Sequence, residues 1–209
     1  MTDPLDELIA EMVATPPEDV FRVYLSLVQQ DRDRAQVAAL ALREQARGGR
    51  IEDRLIPLLD ACLYEAPDGP SVVHLAKALA AFGRKAASAA PTLADRVREL
   101  HVTNDSDYWI LDGALWSLAY HGGDASRRLF DELGAETPSR AGRSQSVYQG
   151  RMTREAREER LAASLKGARA LVDGPDPGAW RDKKTTLKPQ KRASAVSAKQ
   201  NALSVRARR

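Results

Sequence analysis

Ile56-Pro57-x-Leu59-x-x-x-Leu63 returns 34 residues later as Ala90-Pro91-x-Leu93-x-x-x-Val97. Leu75, Ala78, Leu79, Phe82, Ala89 and Leu93 recur at a spacing of 36 as Leu111, Ala114, Leu115, Leu118, Ala125 and Leu129. A weaker copy precedes them in Ala35–Leu63. Repetition at this period constrains the fold more than any other feature. Each unit is too short to bury its own apolar face, so it is satisfied only by stacking on its neighbours.

The unit is helical. Leu5, Leu8, Ile9, Met12 and Val13 fall on one helical face, as do Val20, Phe21, Tyr24, Leu27 and Val28. Thr15-Pro16-Pro17-Glu18 reads as a capping box with proline at the first helical position. Helices follow at about 31–47, 50–64, 70–82, 89–100, 106–121 and 124–134, divided by Gly48-Gly49, Pro67-Asp68-Gly69-Pro70, Gly83, Asn104-Asp105, Gly122-Gly123 and Gly134. No segment alternates convincingly at period two, so the expectation is an all-α chain without a sheet.

The run Leu75-x-x-Ala78-Leu79-x-x-Phe82-Gly83, followed by Ala90-Pro91-x-Leu93 and by the Gly122 turn with Ala125 and Leu129, resembles the HEAT-repeat family and its short bacterial relatives. The likeness covers about residues 31–134. It implies a short right-handed solenoid whose concave surface binds protein or, in some branches, nucleic acid. The chain departs from the fuller consensus in lacking a regular Asp…Arg ladder between units.

Charge divides the chain. Residues 1–136 carry 14 Lys and Arg against 23 Asp and Glu, whereas residues 137–209 carry 18 against 6. The expected organisation is an acidic repeat body (1–136), a Ser/Arg/Gly-rich linker (137–152), an extension of one helix and a Gly/Pro turn (153–182), and a basic tail (183–209). The tail holds Lys183, Lys184, Lys188, Lys191, Arg192, Lys199, Arg206, Arg208 and Arg209 and no acid. Its apolar content is too thin to offset the entropy of ordering, so disorder is expected when it is free. Thr153 should cap the extension helix, whose Leu161, Leu165, Ala168 and Val172 form a narrow stripe that must dock on the body or on a partner.

Four of the eleven aromatic residues, Tyr108, Trp109, Trp116 and Tyr120, crowd into Asp105–His121. Ile110, Leu111, Ala114 and Leu118 make one apolar face of that helix, and Trp109, Gly113, Trp116 and Tyr120 a second, roughly opposite. Such a helix is either covered by a later part of the chain or offers one face to a partner. In the partner reading, Gly113 admits a backbone between the rings and Trp180 is a further anchor.

Chemistry leaves fewer marks. Asp105, Asp107, Asp112 and Asp124 lie close in sequence, but Asp105-x-Asp107 lacks the glycine and terminal glutamate of a calcium loop, and a helix cap at Asp105 or Ser106 explains the pair. His74, His101 and His121 show no ligand spacing with Cys62, which sits on an apolar stripe and, as the single cysteine, excludes an internal disulfide. No phosphate loop, G-x-S-x-G elbow or H-E-x-x-H is present. No leader or membrane-spanning stretch is evident, which fits a reducing, cytoplasmic setting. The expectation is a non-enzymatic adaptor or structural accessory subunit without cofactor or metal. Its basic arm would dock into a larger assembly, and toxin neutralisation is one version of that role. The alternative is nucleic-acid binding through the arm, with affinity falling steeply in salt.

Overall fold

The computed structural model describes residues 4–102, 104–140 and 153–178. Among them are nine α-helices and no strand: α1 (Pro4–Ala14), α2 (Pro17–Leu27), α3 (Arg32–Arg47), α4 (Ile56–Tyr64), α5 (Gly69–Ala80), α6 (Ala90–Glu99), α7 (Asp105–His121), α8 (Gly123–Arg140) and α9 (Arg154–Asp173). Short 3-10 turns at Asp53–Leu55 and Gly83–Ala89 lead into α4 and α6. Among the described residues, no helix is long and apolar enough to cross a membrane.

The helices alternate between two layers. In one layer α1, α3, α5, α7 and α9 pack in succession; in the other α2 lies on α4, α4 on α6, and α6 on α8. Two devices begin the helices, and α5 uses both, with Pro70 in its first turn. Asp31, Asp68, Asn104 and Thr153 cap α3, α5, α7 and α9, each side chain accepting from the backbone N–H three residues on at 2.8–3.2 Å. Helices α2, α4 and α6 have no side-chain cap and start instead with Pro17, Pro57 and Pro91 in the first turn. Both devices deal with the unpaired N–H groups of a helix start, one by supplying an acceptor and the other by removing a donor.

Two local expectations are corrected here. Thr15 does not form a capping box: its hydroxyl donates back to the Glu11 carbonyl at 3.0 Å and closes α1, leaving Pro16 at the start of α2. The cap of α7 is Asn104, not Asp105 or Ser106. In addition, α8 continues through Gly134, where the sequence pattern ends it, to Arg140.

The core lies between the layers and is built from small and branched residues. Ala35, Ala38, Ala39, Leu42, Leu59, Leu75, Ala78, Leu79, Leu93, Leu111, Ala114, Leu115 and Leu118 are all inaccessible to water. Alanine at so many contacts lets helices approach closely, and close packing gives each methyl many partners. Polar ties cross between units. The Tyr24 hydroxyl donates to the Cys62 carbonyl at 3.2 Å, linking α2 to α4. The fully buried Gln45 amide donates to the carbonyls of Met12, Val13 and Thr15, satisfying the C-terminal end of α1 from α3. Exposed ion pairs Arg54–Glu18 and Arg98–Glu132 join successive units of the second layer, at 2.9 Å each.

Helix α9 docks on α7 and α8 and buries Leu161, Leu165, Ala168 and Val172, the stripe marked in the sequence. Arg157, 1% exposed, pairs with Asp105 at 3.2 Å and fastens the start of α9 to the start of α7. At the other end, Arg84 donates to the carbonyls of Leu171 and Val172. Its guanidinium fills the space that a side chain at Gly122 would need; Gly122 itself has φ +66°, a conformation that glycine adopts without strain.

Candidate functional site

The second face of α7 forms one wall of a cleft of about 210 Å³ on the surface of the first layer. Asp112, Gly113, Trp116, Ser117 and Tyr120 line it from α7, and Lys77 and Ala80 from α5. The lining is mostly apolar, with one ammonium and one carboxylate set into it.

Gly113 holds the cleft together. A Cβ added there would lie 2.7 Å from Val73 Cγ2 and 3.2 Å from Lys77 Cε. The close approach that the glycine permits is therefore made by α5, not by a partner's backbone between the rings. The Lys77 stem crosses that gap. Burial, with the nearby Arg43 guanidinium second, lowers the Lys77 ammonium below its ordinary range, and Asp112 opposes the shift. Asp112 is in electrostatic reach of Lys77, yet no salt bridge joins them. Asp112 Oδ1 is shielded from water and has no hydrogen-bond partner among the described residues.

The aromatic residues divide into three settings. Tyr108 is buried; burial raises its hydroxyl above the usual range, and a hydrogen bond with Ser164 of α9 opposes this. Trp109 is 54% exposed and meets the Tyr108 ring edge-on, with centroids 5.0 Å apart. Trp116 is 37% exposed and reaches across to α9, where a Cβ on Gly167 would lie 2.8 Å from its ring. Coverage by the later helix and display at the surface thus coexist on one face. Helix α9 takes Tyr108 and the far edge of Trp116, while Trp109 and the near side of Trp116 stay open, with Tyr120 half-buried at the cleft's end.

Beside the cleft, Arg43 Nη1 stands 3.1 Å from His74 Nδ1 and also pairs with Glu44 at 2.6 Å. Burial and the adjacent Arg43 hold His74 down at about 4. His121, fully buried at the C-terminal end of α7, is likewise held at about 4, chiefly by burial. Burial alone pushes the Cys62 thiol up to about 12, as befits a small core residue rather than a nucleophile.

The four aspartates around α7 go separate ways: Asp105 to Arg157, Asp124 to Arg127, Asp112 to the cleft, and Asp107 to a second hollow beside His101 and Ile110. No group of three or more His, Cys, Asp or Glu is placed to hold a metal ion among the described residues. Trp180 and the basic residues from Lys183 to Arg209 lie outside the described residues, as do residues 141–152 of the linker.

Lys77 carries no signal in the sequence, because the spacing between repeats that brings it beside Asp112 becomes meaningful only once α5 and α7 are stacked. No family model, no curated protein and no solved structure matches the chain.

Proposed function

We propose that the chain is a non-enzymatic protein-interaction adaptor, built as a short HEAT-like right-handed solenoid whose α3–α5–α7 surface receives a protein partner. The observation that carries this reading is the pair Trp109 and Trp116, large apolar rings exposed on one helix, the second of them lining an apolar cleft. Exposed tryptophans concentrate binding energy because they bury much area while losing little conformational freedom. Trp116 suits that role further, since its packing over Gly167 holds the ring in place before a partner arrives. The basic tail would then strengthen attachment to an acidic region of the same assembly.

The sequence also motivates a second reading, in which the nine basic residues after Asp182 bind nucleic acid. Capture from native lysate with nuclease treatment separates the two. The adaptor reading expects discrete proteins that survive nuclease and are lost from the Trp109→Ala/Trp116→Ala double variant. The second reading expects nucleic acid, recovered only while residues 183–209 are present. Recovery of no discrete protein, or of proteins captured equally well by the double variant, would overturn the adaptor reading.

A further inference from the structure

We propose that the cleft between α5 and α7 is a covalent carbonyl site, in which the Lys77 amine captures a small neutral aldehyde as an imine while the apolar body of the aldehyde lies against Trp116 and Tyr120. This goes beyond the adaptor reading and does not depend on it.

Lys77 lines the cleft, is half-buried, and makes no hydrogen bond or ion pair with the described residues. Its Nζ is not sealed from water, whereas Asp112 Oδ1 is. The side chain is held across Gly113, with Cε 3.2 Å and Nζ 3.4 Å from the place a Cβ would take there, so α7 fixes where the amine stands. Burial and the Arg43 guanidinium both disfavour the ammonium form. A lysine desolvated in an apolar hollow and set beside another cation is an activated nucleophile, because more of it carries a free lone pair.

The groups around the amine select the electrophile. A cationic reagent would meet Arg43 and an anionic one Asp112, which leaves a neutral one. Acylation would strip the nitrogen of its charge and leave Asp112 without the cation in its reach, whereas an imine nitrogen takes up a proton and keeps that counter-charge. The other walls, Ala80, Trp116 and Tyr120, are apolar or aromatic, and the volume is about 210 Å³. A cavity of about 150 Å³ holds one benzene ring, so an aldehyde with a single ring fits.

The step balances without an oxidant or reductant. The Nζ lone pair forms the C–N bond as the carbonyl π pair moves to oxygen, which takes a proton. The C–O bond then breaks as the nitrogen pair closes C=N, and both amine hydrogens leave in the released water.

The experiment treats the full chain with benzaldehyde, traps imines with sodium cyanoborohydride, and follows each amine by peptide mass mapping. Near neutral pH, Lys77 should be labelled at least about tenfold faster than Lys166, which is exposed on α9 of the same molecule. That advantage should close as the pH rises towards about 10, where ordinary lysines lose their proton. The Lys77 rate should saturate with benzaldehyde while the Lys166 rate rises linearly over the same range. Trp116→Ala should raise the half-saturating concentration about fivefold or more and leave Lys166 unchanged. Benzyl alcohol, neutral and similar in shape, should slow labelling of Lys77, and benzoate should not. The comparison of two lysines in the parent protein needs no variant. Labelling of Lys77 no faster than Lys166 would overturn the inference. So would a fast but unsaturable reaction untouched by Trp116→Ala, which would mean a reactive amine without a site. Protection by benzoate rather than benzyl alcohol would overturn it too, by assigning the cleft to an anion. The adaptor reading falls only with the capture experiment.

Discussion

Replacing Gly113 by alanine tests the packing of α5 on α7. Two effects oppose each other. Alanine inside a helix is favoured over glycine by about 0.8–1 kcal/mol. Against that, the new methyl would lie 2.7 Å from Val73 Cγ2, too near for any carbon pair, and 3.2 Å from Lys77 Cε. Lys77 is long and can move aside. Val73 cannot: it is 7% exposed and β-branched, with its first torsion fixed by the helix it sits in. The clash must then be relieved by separating α5 from α7, and overpacking of this kind costs about 1–3 kcal/mol. The net expectation is a loss of up to about 2 kcal/mol. Gly134→Ala provides the internal reference, because nothing lies within 4 Å of a Cβ there. It should gain roughly 0.5–1 kcal/mol from propensity alone. Urea unfolding of both variants, followed by far-ultraviolet circular dichroism, gives the comparison directly. Adding Val73→Ala to Gly113→Ala completes a cycle whose coupling should favour the double variant by about 1 kcal/mol or more. A Gly113→Ala protein stabilised as much as Gly134→Ala, or a cycle with no coupling, would show that α5 and α7 are not pressed together at this point.

Three further outcomes are expected. Tyr24→Phe deletes the buried bond to the Cys62 carbonyl with little change of shape and should lower unfolding free energy by about 1 kcal/mol in the same urea assay. Arg157→Ala removes both the guanidinium that pairs with Asp105 and the buried stem and should cost about 3 kcal/mol or more, whereas Arg157→Met keeps the space filled and should cost clearly less; equal losses would mean that the ion pair carries the whole effect and the filled space none of it. Stability should also fall in mild acid. His121 titrates at about 4 in the folded chain and near 6.5 when unfolded, so below 6.5 the unfolded state takes up the proton that the folded state refuses. The stabilisation is complete above that value and should shrink by roughly 2 kcal/mol between pH 7.5 and 5. His74 acts in the same direction, while the lowered carboxyl of Asp173 acts only at lower pH. Unfolding free energies of the parent and His121→Asn measured across that window check the claim: the variant's slope should be shallower, and an unchanged slope would remove His121 as the cause.

The helices were legible because their information is local. Apolar spacing, glycine ends and first-turn prolines depend on neighbours within one or two turns, and the expected spans from 31–47 to 106–121 match α3 to α7 closely, except that α4 begins at Ile56 rather than near residue 50, after a 3-10 turn. The misreadings have local causes too. Asn104, Asp105 and Ser106 are all good caps, so composition alone could not choose among them. Thr15 had two acceptable bonds and made the one behind it. Gly134 did not end α8, because an open helical position tolerates glycine at modest cost. The site was legible only in its aromatic half. Crowded rings on one helix are visible in a sequence, but their neighbours are not. Lys77 reaches Asp112 across a repeat, and Arg157 meets Asp105 from 52 residues away. Gly113 illustrates the limit well: its missing side chain signalled a close approach correctly and said nothing of which helix would make it.

Position in the stack explains why α7 carries aromatic residues on two sides. An inner helix of a two-layer repeat contacts both neighbours in its own layer and the layer beneath, which leaves one narrow strip for solvent. On α7 that strip runs between two notches, Gly113 under Val73 and Gly167 of α9 under Trp116. Each glycine disfavours its own helix by up to about 1 kcal/mol relative to alanine, so both are retained against local propensity. Their joint effect is to draw α5 and α9 in against α7, one setting the width of the cleft and the other clamping the indole at its edge. Trp116 therefore cannot fold into the core without displacing Gly167, nor swing freely outward without giving up its contact with α9. A ring held that way contributes little to folding in its exposed half, and its conformational entropy is already spent in the free protein. Alanine at either notch would gain helix propensity but meet Val73 or the Trp116 ring, so each glycine is what its close approach requires. The three positions, on two helices far apart in sequence, thus act as one packing unit that fixes both the width of the cleft and the ring at its edge.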